Sequence, residues 1–370
     1  MEEIEFKFIE SNGINLRLAM MGDGPLVIFC HGWPESWYSY RHQLPAVAKA
    51  GFKAVAYDVR GYGESDKPHE IEAYTMKNMT DDVIGIIDAL GYDTAITIGH
   101  DWGGPIALNT AALNEDRITA TGTMSVPFTG RGPMPTLDLW KEIYQDRFFY
   151  QLYFQKEGVA EEEFESDLNR SLFITYTNSD GRGMQRNLEK GQSGLVPQKD
   201  KNSSFLEGME VFEDFPGWFS KEDLDYFVDQ FKISGLRGPF NRYRAQNIDW
   251  HELPELEGAI LHQPAFFITG TLDPVNFFIP SEQSLIDRIS PNYKELLFAE
   301  EFEGIGHWTQ QEIPNEVNEL IIKFLTDLLY PISFRFLLSK EVKVVTPTSF
   351  ILPETFFAAF NASKTEPICM

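Results

Sequence analysis

The sequence predicts an α/β fold: a mostly parallel, eight-stranded sheet with helices on both faces and a helical insertion after the sixth strand. Three observations carry this. Continuous apolar runs such as "PLVIFC", "FKAVAYDV" and "TAITIG" alternate with amphipathic segments, the pattern of strands buried on both faces. After about residue 130 the rhythm changes to aromatic- and charge-rich helical spacing. At "QPAFFITGTLD" the buried-strand character returns.

The elements follow in order. "IEFKFIES" and "INLRLAMM" alternate at period two and read as an antiparallel pair. "PLVIFC" ends at "HGWP", and "FKAVAYDV" ends at "RGYGESD". "MTDDVIGIIDALG" has helical spacing and a glycine stop. "TAITIG" runs into "HDWGG" and the helix "PIALNTAAL"; "ITATGTMSV" is the sixth strand. In the insertion, "FFYQLYFQKEGVAEEEFESDLNRSLF" reads as two helices joined at a glycine, and "KEDLDYFVDQFKISG" as a third. "NYKELLFAEEFEGIGHW" holds the last strand and "PNEVNELIIKFLTDLL" the last helix. The expected organisation is core over 1–130, helical cap over 131–254, core again over 255–330, and a tail over 331–370 with no clear period. An insertion at that point would lie over the C-terminal edge of the sheet, where open α/β sheets bind ligands.

The chain has 370 residues, 43% hydrophobic, enough for one large core with a smaller cap. Its formal net charge of -25 argues against nucleic acid and anionic membranes as partners. Two cysteines, Cys30 and Cys369, make a disulfide framework a poor expectation and fit a reducing, cytoplasmic setting. "MEEIEFKFIE" lacks the basic and apolar regions of a signal peptide, and no apolar run has the length of a membrane span. "NAS" at Asn361 matches a glycosylation sequon, which means little without a secretion signal.

Strand, then "GHDWGG", then helix is the layout of a nucleophile elbow, a sharp turn that lifts its central residue above the sheet edge. Gly99 and Gly103 let strand and helix approach closely. The central residue is Asp101 rather than serine, and the near miss "GQSGL" follows no strand. A carboxylate there suits attack on sp3 carbon, with displacement of oxygen or halide, to give an ester. The ester then needs a base for water and a group to orient the base. Of seven histidines, His31 and His100 lie within turn motifs, while His42, His69, His251 and His262 read as surface. His307 follows the last core strand, where an elbow enzyme keeps its base. Asp273, after the preceding strand, is the orienting acid; the alternative is a turn aspartate before Pro274. Trp102, after the nucleophile, and Trp33, in "HGWPES", supply the two backbone N–H groups of an oxyanion hole. The Trp33–Pro34 bond is a candidate cis peptide.

No histidine or cysteine cluster has metal-ligand spacing, and no cofactor is expected. "GYGES" looks like a phosphate loop but lacks its spacing and reads as a turn. "AEEEFE" and "FAEEFE" read as solvated faces.

These residues together resemble the α/β-hydrolase-fold epoxide hydrolases of the soluble type. The resemblance runs through "HGWPESWYSYRHQLPAVAKAGFKAVAYDVRGYGESDKP", "IGHDWGG", "FYQLYFQKEGVAE", "LRGPFNRYR" and "GIGHWTQ", over residues 1–328. It implies an α/β-hydrolase fold without the N-terminal phosphatase-like domain of some members. It implies two cap tyrosines whose hydroxyls hold the epoxide oxygen, here Tyr150 and Tyr243, with Tyr153 the alternative to Tyr150. An alkoxide is far more basic than halide, and a phenol near its ordinary value of about 10 can protonate it. Glu35 is implied as a holder of the hydrolytic water, its alternative an exposed loop or helix-start charge. His100 joins the same water chain or is a buried, hydrogen-bonded residue. The expected reaction is hydrolysis of an apolar epoxide to a vicinal diol through an ester on Asp101, in a monomer or homodimer. The rival is a haloalkane dehalogenase on the same aspartate, with an indole N–H at Trp33 or Trp102 holding halide. A binding protein on this fold is a further rival, but the triad is whole.

Overall fold

The structure, a computed structural model, describes residues 3–191, 199–279 and 281–329. The tail expected over 331–370, with Cys369 and the sequon at Asn361, lies outside the described residues, as does most of "GQSGL". The chain divides into one compact unit, Met1–Phe324, and a second, Leu325–Met370. Among the described residues no helix is long and apolar enough to cross a membrane.

Eight strands form one sheet: β1 Glu5–Ser11, β2 Ile14–Met21, β3 Leu26–Cys30, β4 Lys53–Tyr57, β5 Ala95–His100, β6 Ile118–Met124, β7 Ala265–Gly270 and β8 Leu296–Phe302. Their order is β1-β2-β4-β3-β5-β6-β7-β8. The β1/β2 and β2/β4 pairs are antiparallel and the rest parallel. Every residue of β3, β5 and β7 is buried, which is why these strands read as unbroken apolar runs. Between β3 and β6 the core carries α1 Gln43–Lys49, α2 Met76–Ala89 and α3 Gly103–Leu113, the last packed on β5 and β6.

The register decides where chemistry is placed. Cys30 pairs with Gly99, His100 with Met124, Met124 with Ile268, and Gly270 with Phe302. The C-terminal ends of β3, β5, β6, β7 and β8 therefore lie side by side, and the loops that follow them emerge at one edge. Chain order reverses direction at β3, flanked by β4 and β5, and such a point opens a crevice.

The insertion after β6 is helical, as expected. It comprises α4 Thr136–Ile143, α5 Tyr150–Tyr153, α6 Val159–Glu165, α7 Leu168–Ser179, α8 Gly181–Glu189, α9 Lys221–Ser234, α10 Arg237–Arg244 and α11 Gln246–Glu252. The two-helix reading of residues 148–173 is corrected: α5, α6 and α7 share that stretch. Gly158, at φ 83, starts α6, and the Asp167 side chain caps α7. The solvated reading of "AEEEFE" holds at Glu162 and Glu165, which are exposed, and is corrected at Glu161. Glu161 is buried against Arg244 at 2.7 Å, because α10 carries its guanidinium into the cap and a buried cation needs a carboxylate. Beyond β7 come α12 Leu285–Ile289, then β8, α13 Thr309–Glu312 and α14 Pro314–Leu329.

Candidate active site

The elbow is steric in origin. A Cβ on Gly99 would overlap the Gly103 carbonyl, and one on Gly103 would overlap the Cys30 carbonyl. Strand and helix meet backbone on backbone, and Asp101 takes φ 49 at the tip. It is 8% exposed, so the carboxylate is presented to a pocket rather than to bulk water.

The loop after β3 meets it. The Trp33 N–H donates to Oδ1 of Asp101 at 2.6 Å. Gly32 is pressed so close that an added Cβ would overlap Oδ1 and stand 2.6 Å from the Trp102 backbone nitrogen. Both expected oxyanion donors thus belong to the same corner. The Trp33–Pro34 peptide is cis. His31 is structural: its Nδ1 donates to the Gly32 carbonyl and its Nε2 accepts from the Val59 N–H. Burial pushes that ring down to about 4, so it is neutral.

His307 lies between two carboxylates. Nδ1 donates to Oδ1 of Asp273 at 3.0 Å, and Nε2 is 3.6 Å from Oδ2 of Asp101. Burial lowers the ring, but Asp273 first and Asp101 with it override that and hold it at about 10. Burial raises Asp273, which the His307 charge and hydrogen bonds from His307 and Ser125 outweigh, so its carboxyl is held low. Asp273 is also the turn aspartate of the alternative reading: Oδ1 accepts from the Val275 N–H at 3.0 Å. One side chain does both.

Glu35 is fully buried, not exposed. Its Oε2 accepts from the Gly32 N–H at 2.8 Å and from His100 Nδ1 at 2.9 Å, and Oε1 accepts from Gln310 Nε2 at 2.9 Å. Burial raises the carboxyl and His100 overrides it, bringing it to about 2. His100 Nε2 donates to the His307 carbonyl at 2.7 Å. Glu35 therefore bears on the base through His100 and lies outside the pocket wall.

Tyr150 and Tyr243 come from α5 and α10 and line one pocket with Asp101, His307 and Trp33. Their ring centroids are 5.7 Å apart. Gln151 Nε2 donates to the Tyr150 hydroxyl at 3.1 Å. The expectation of a phenol near its ordinary value is corrected: burial, with the Asp101 charge, pushes both phenols up. They stay protonated as firm donors. Tyr153 instead donates to Glu163 at 2.8 Å and is not part of the pocket wall. Trp33 lies among Phe154, Phe164, Phe205 and Phe240, at 5.3 to 6.1 Å between centroids, so the insertion packs its aromatic rings around the loop that follows β3.

Sequence reasoning missed Ser125. It follows β6 at φ 75, with Oγ 3.0 Å from His307 Nδ1 and a hydrogen bond to Asp273. Its signal was topological: β6 ends beside β5 and β7, so the next residue must enter the site. Gln310, Thr175, Ser179 and Phe278 were missed as well; the last three line the pocket. Cys30 is buried, and burial pushes its thiol up to about 12, so it is inert.

Four likenesses accord with this geometry. Residues 25–312 match the α/β hydrolase fold family. The chain is 35% identical to epoxide hydrolase A of Mycobacterium tuberculosis over 328 residues, 87% of this chain and 97% of that one. It is 34% identical to epoxide hydrolase 2 of Siraitia grosvenorii, covering 88% and 99%. Among solved structures, an epoxide hydrolase from an endophytic Streptomyces superposes with a TM-score of 0.82 at 38% identity, covering 89% and 97%.

Proposed function

The chain belongs to the epoxide hydrolases of the α/β hydrolase fold, and from that premise we propose that it turns epoxides into vicinal diols through an ester on Asp101. In the first step Oδ2 of Asp101 attacks an epoxide carbon and the ring C–O bond breaks. Oδ1, held by the Trp33 N–H, becomes the ester carbonyl oxygen. Tyr150 and Tyr243 hold the ring oxygen, and the alkoxide takes a proton that His307 ultimately replaces. His307 is then neutral, beside an ester that no longer carries the charge of Asp101. In the second step His307 removes a proton from water, and hydroxide adds to the ester carbonyl. The oxyanion forms at Oδ1 against the N–H groups of Trp33 and Trp102. The tetrahedral adduct collapses, its hydroxyl proton passes to the leaving alkoxide, and diol, the Asp101 carboxylate and charged His307 result. Asp273 orients the imidazole throughout, and Glu35 supports it through His100, with the hydrolytic water held nearby.

The observation that carries this reading is that two buried phenols, Tyr150 and Tyr243, line one pocket with Asp101. Halide displacement needs no such proton donors. The wall of Trp33, Pro274, Val275, Phe278 and Trp308 supports an apolar epoxide, aryl or lipid-derived, as substrate. The reading takes residues 131–254 as the cap, the molecule as a monomer or homodimer, and its setting as cytoplasmic.

The test is diol formation from an epoxide panel that includes styrene oxide and a fatty-acid epoxide, with bromide release from a bromoalkane assayed in parallel. Diol from wild type and none from Asp101→Ala supports the reading. Bromide release that survives Tyr150→Phe/Tyr243→Phe, with no diol from any epoxide, contradicts it in favour of a dehalogenase.

A further inference from the structure

The loop that carries His307 is fastened to the insertion. The His307 N–H donates to the Ser179 carbonyl at 2.8 Å, and Trp308 Nε1 donates to the Tyr176 carbonyl at 2.9 Å. Both acceptors lie in the last turn of α7. Glu312, one turn beyond the base on α13, bridges the two sides. Its Oε2 accepts from the Gly181 N–H at 3.0 Å and the Gly306 N–H at 3.2 Å, and its Oε1 accepts from the Trp308 N–H at 3.0 Å. There is no slack in the seam. A Cβ on Gly306 would overlap the backbone of Ser179–Gly181, and one on Gly181 would overlap the Gly304 carbonyl.

We propose that Glu312 is a positioning residue for the hydrolytic half of the reaction: it ties Gly306–Trp308 to Ser179–Gly181, so that the His307 imidazole is set for water only while the insertion is seated. The inference rests on the reading of His307 as the base. A buried carboxylate with no cation partner is costly unless its hydrogen bonds are made. Burial pushes Glu312 up to about 7, and Asp180 adds to that, while the three N–H donors favour the ionised form. Asp180 does not compete for those donors, since its oxygens take the Gly183 N–H and Trp218 Nε1. The ionised carboxylate, which only accepts, is the side chain that can take all three N–H groups at once.

Glu312→Gln keeps the volume and replaces one acceptor with an NH2 that meets an N–H head-on. Glu312→Asp keeps the charge and shortens the reach. Ester formation and ester hydrolysis are measured separately by quenched flow with enzyme in excess over styrene oxide, beside steady-state kcat and KM and a thermal melt. In Glu312→Gln, ester formation stays within about threefold of wild type and hydrolysis falls at least about tenfold, the scale of a misplaced catalytic group. Because the ester accumulates, kcat and KM fall together, and Glu312→Asp recovers part of the loss. A merely structural role would lower the active fraction instead, slowing both steps alike with KM unchanged. That result, or no loss in a folded Glu312→Gln, overturns the proposal. Failure of both variants to fold overturns it as well, since the carboxylate would then set the fold rather than the base. Wild type that forms neither ester nor diol would sink the functional reading itself, and would be seen before any variant is made.

Discussion

Nε2 of His307 stands 3.6 Å from Oδ2 of Asp101, with the opposite ring nitrogen 3.0 Å from Asp273. One imidazole is thus held between two carboxylates of different permanence. In the proposed mechanism Asp273 keeps its charge through the cycle, whereas Asp101 loses its own on becoming an ester. In the proposed mechanism the ring changes from acid to base at the moment the first step ends.

That sandwich makes stability depend on pH. The folded-state value of His307, about 10, lies above the unfolded value of 6.5. The stabilisation it gives is fully present below pH 6.5 and is lost as pH rises through about 10. The melting temperature of wild type should exceed that of His307→Gln most at pH 6.5, and the gap should shrink towards pH 10. A constant gap would show that the ring is neutral in the free enzyme. Groups elsewhere titrate in both proteins and cancel in the difference.

The two phenols should matter for ester formation and not for its hydrolysis. Tyr150→Phe or Tyr243→Phe alone should slow the first step about tenfold to a hundredfold, and the pair about a thousandfold or more, within the range of general acid catalysis. Single-turnover rates of ester appearance check this. A double variant that loses only hydrolysis would remove the tyrosines from the first step.

Gly32 should tolerate no side chain. A methyl group there overlaps Oδ1 of Asp101 and crowds the Trp102 nitrogen, so Gly32→Ala should disturb both donors of the oxyanion hole. Loss of one such donor costs about 10²–10³ in kcat. The check is kcat for the folded variant, with its melting curve.

Ser125 offers a comparison of two substitutions. Ser125→Ala removes the hydroxyl from Asp273 and keeps a Cβ at φ 75. Ser125→Gly removes the hydroxyl and relaxes the backbone. Both lose the hydrogen bond of a buried carboxylate, at about 1–3 kcal/mol. The glycine variant should recover about 1 kcal/mol of that by relief of strain. Urea unfolding at pH 7 measures both.

The legible parts of this molecule are those fixed by local constraint. The apolar runs of β3, β5 and β7 are continuous because both faces are covered, and the elbow glycines are required where backbones touch. Once the last two strands are placed, His307 and Asp273 fall at their ends. Ser125, Gln310 and Glu312 were not legible, because each acts through partners far away in sequence: Ser125 on residue 307, Gln310 on residue 35, Glu312 on residue 181. Within the insertion, α8 and α10 carry residues of poor helix propensity, two glycines in α8 and a glycine and a proline in α10. Tertiary contacts hold them. In α10, Arg242 and Arg244 are buried against Asp249 and Glu161. No period in the sequence announces a buried ion pair.

The covalent ester on Asp101 is the central claim, and its direct test is the intact mass of His307→Gln after incubation with styrene oxide, followed by peptide mapping. With the base removed, the account predicts one added epoxide mass per chain, located on Asp101, with diol formation stalled. Diol formed at the wild-type rate with no adduct, or an adduct on another residue, would contradict it.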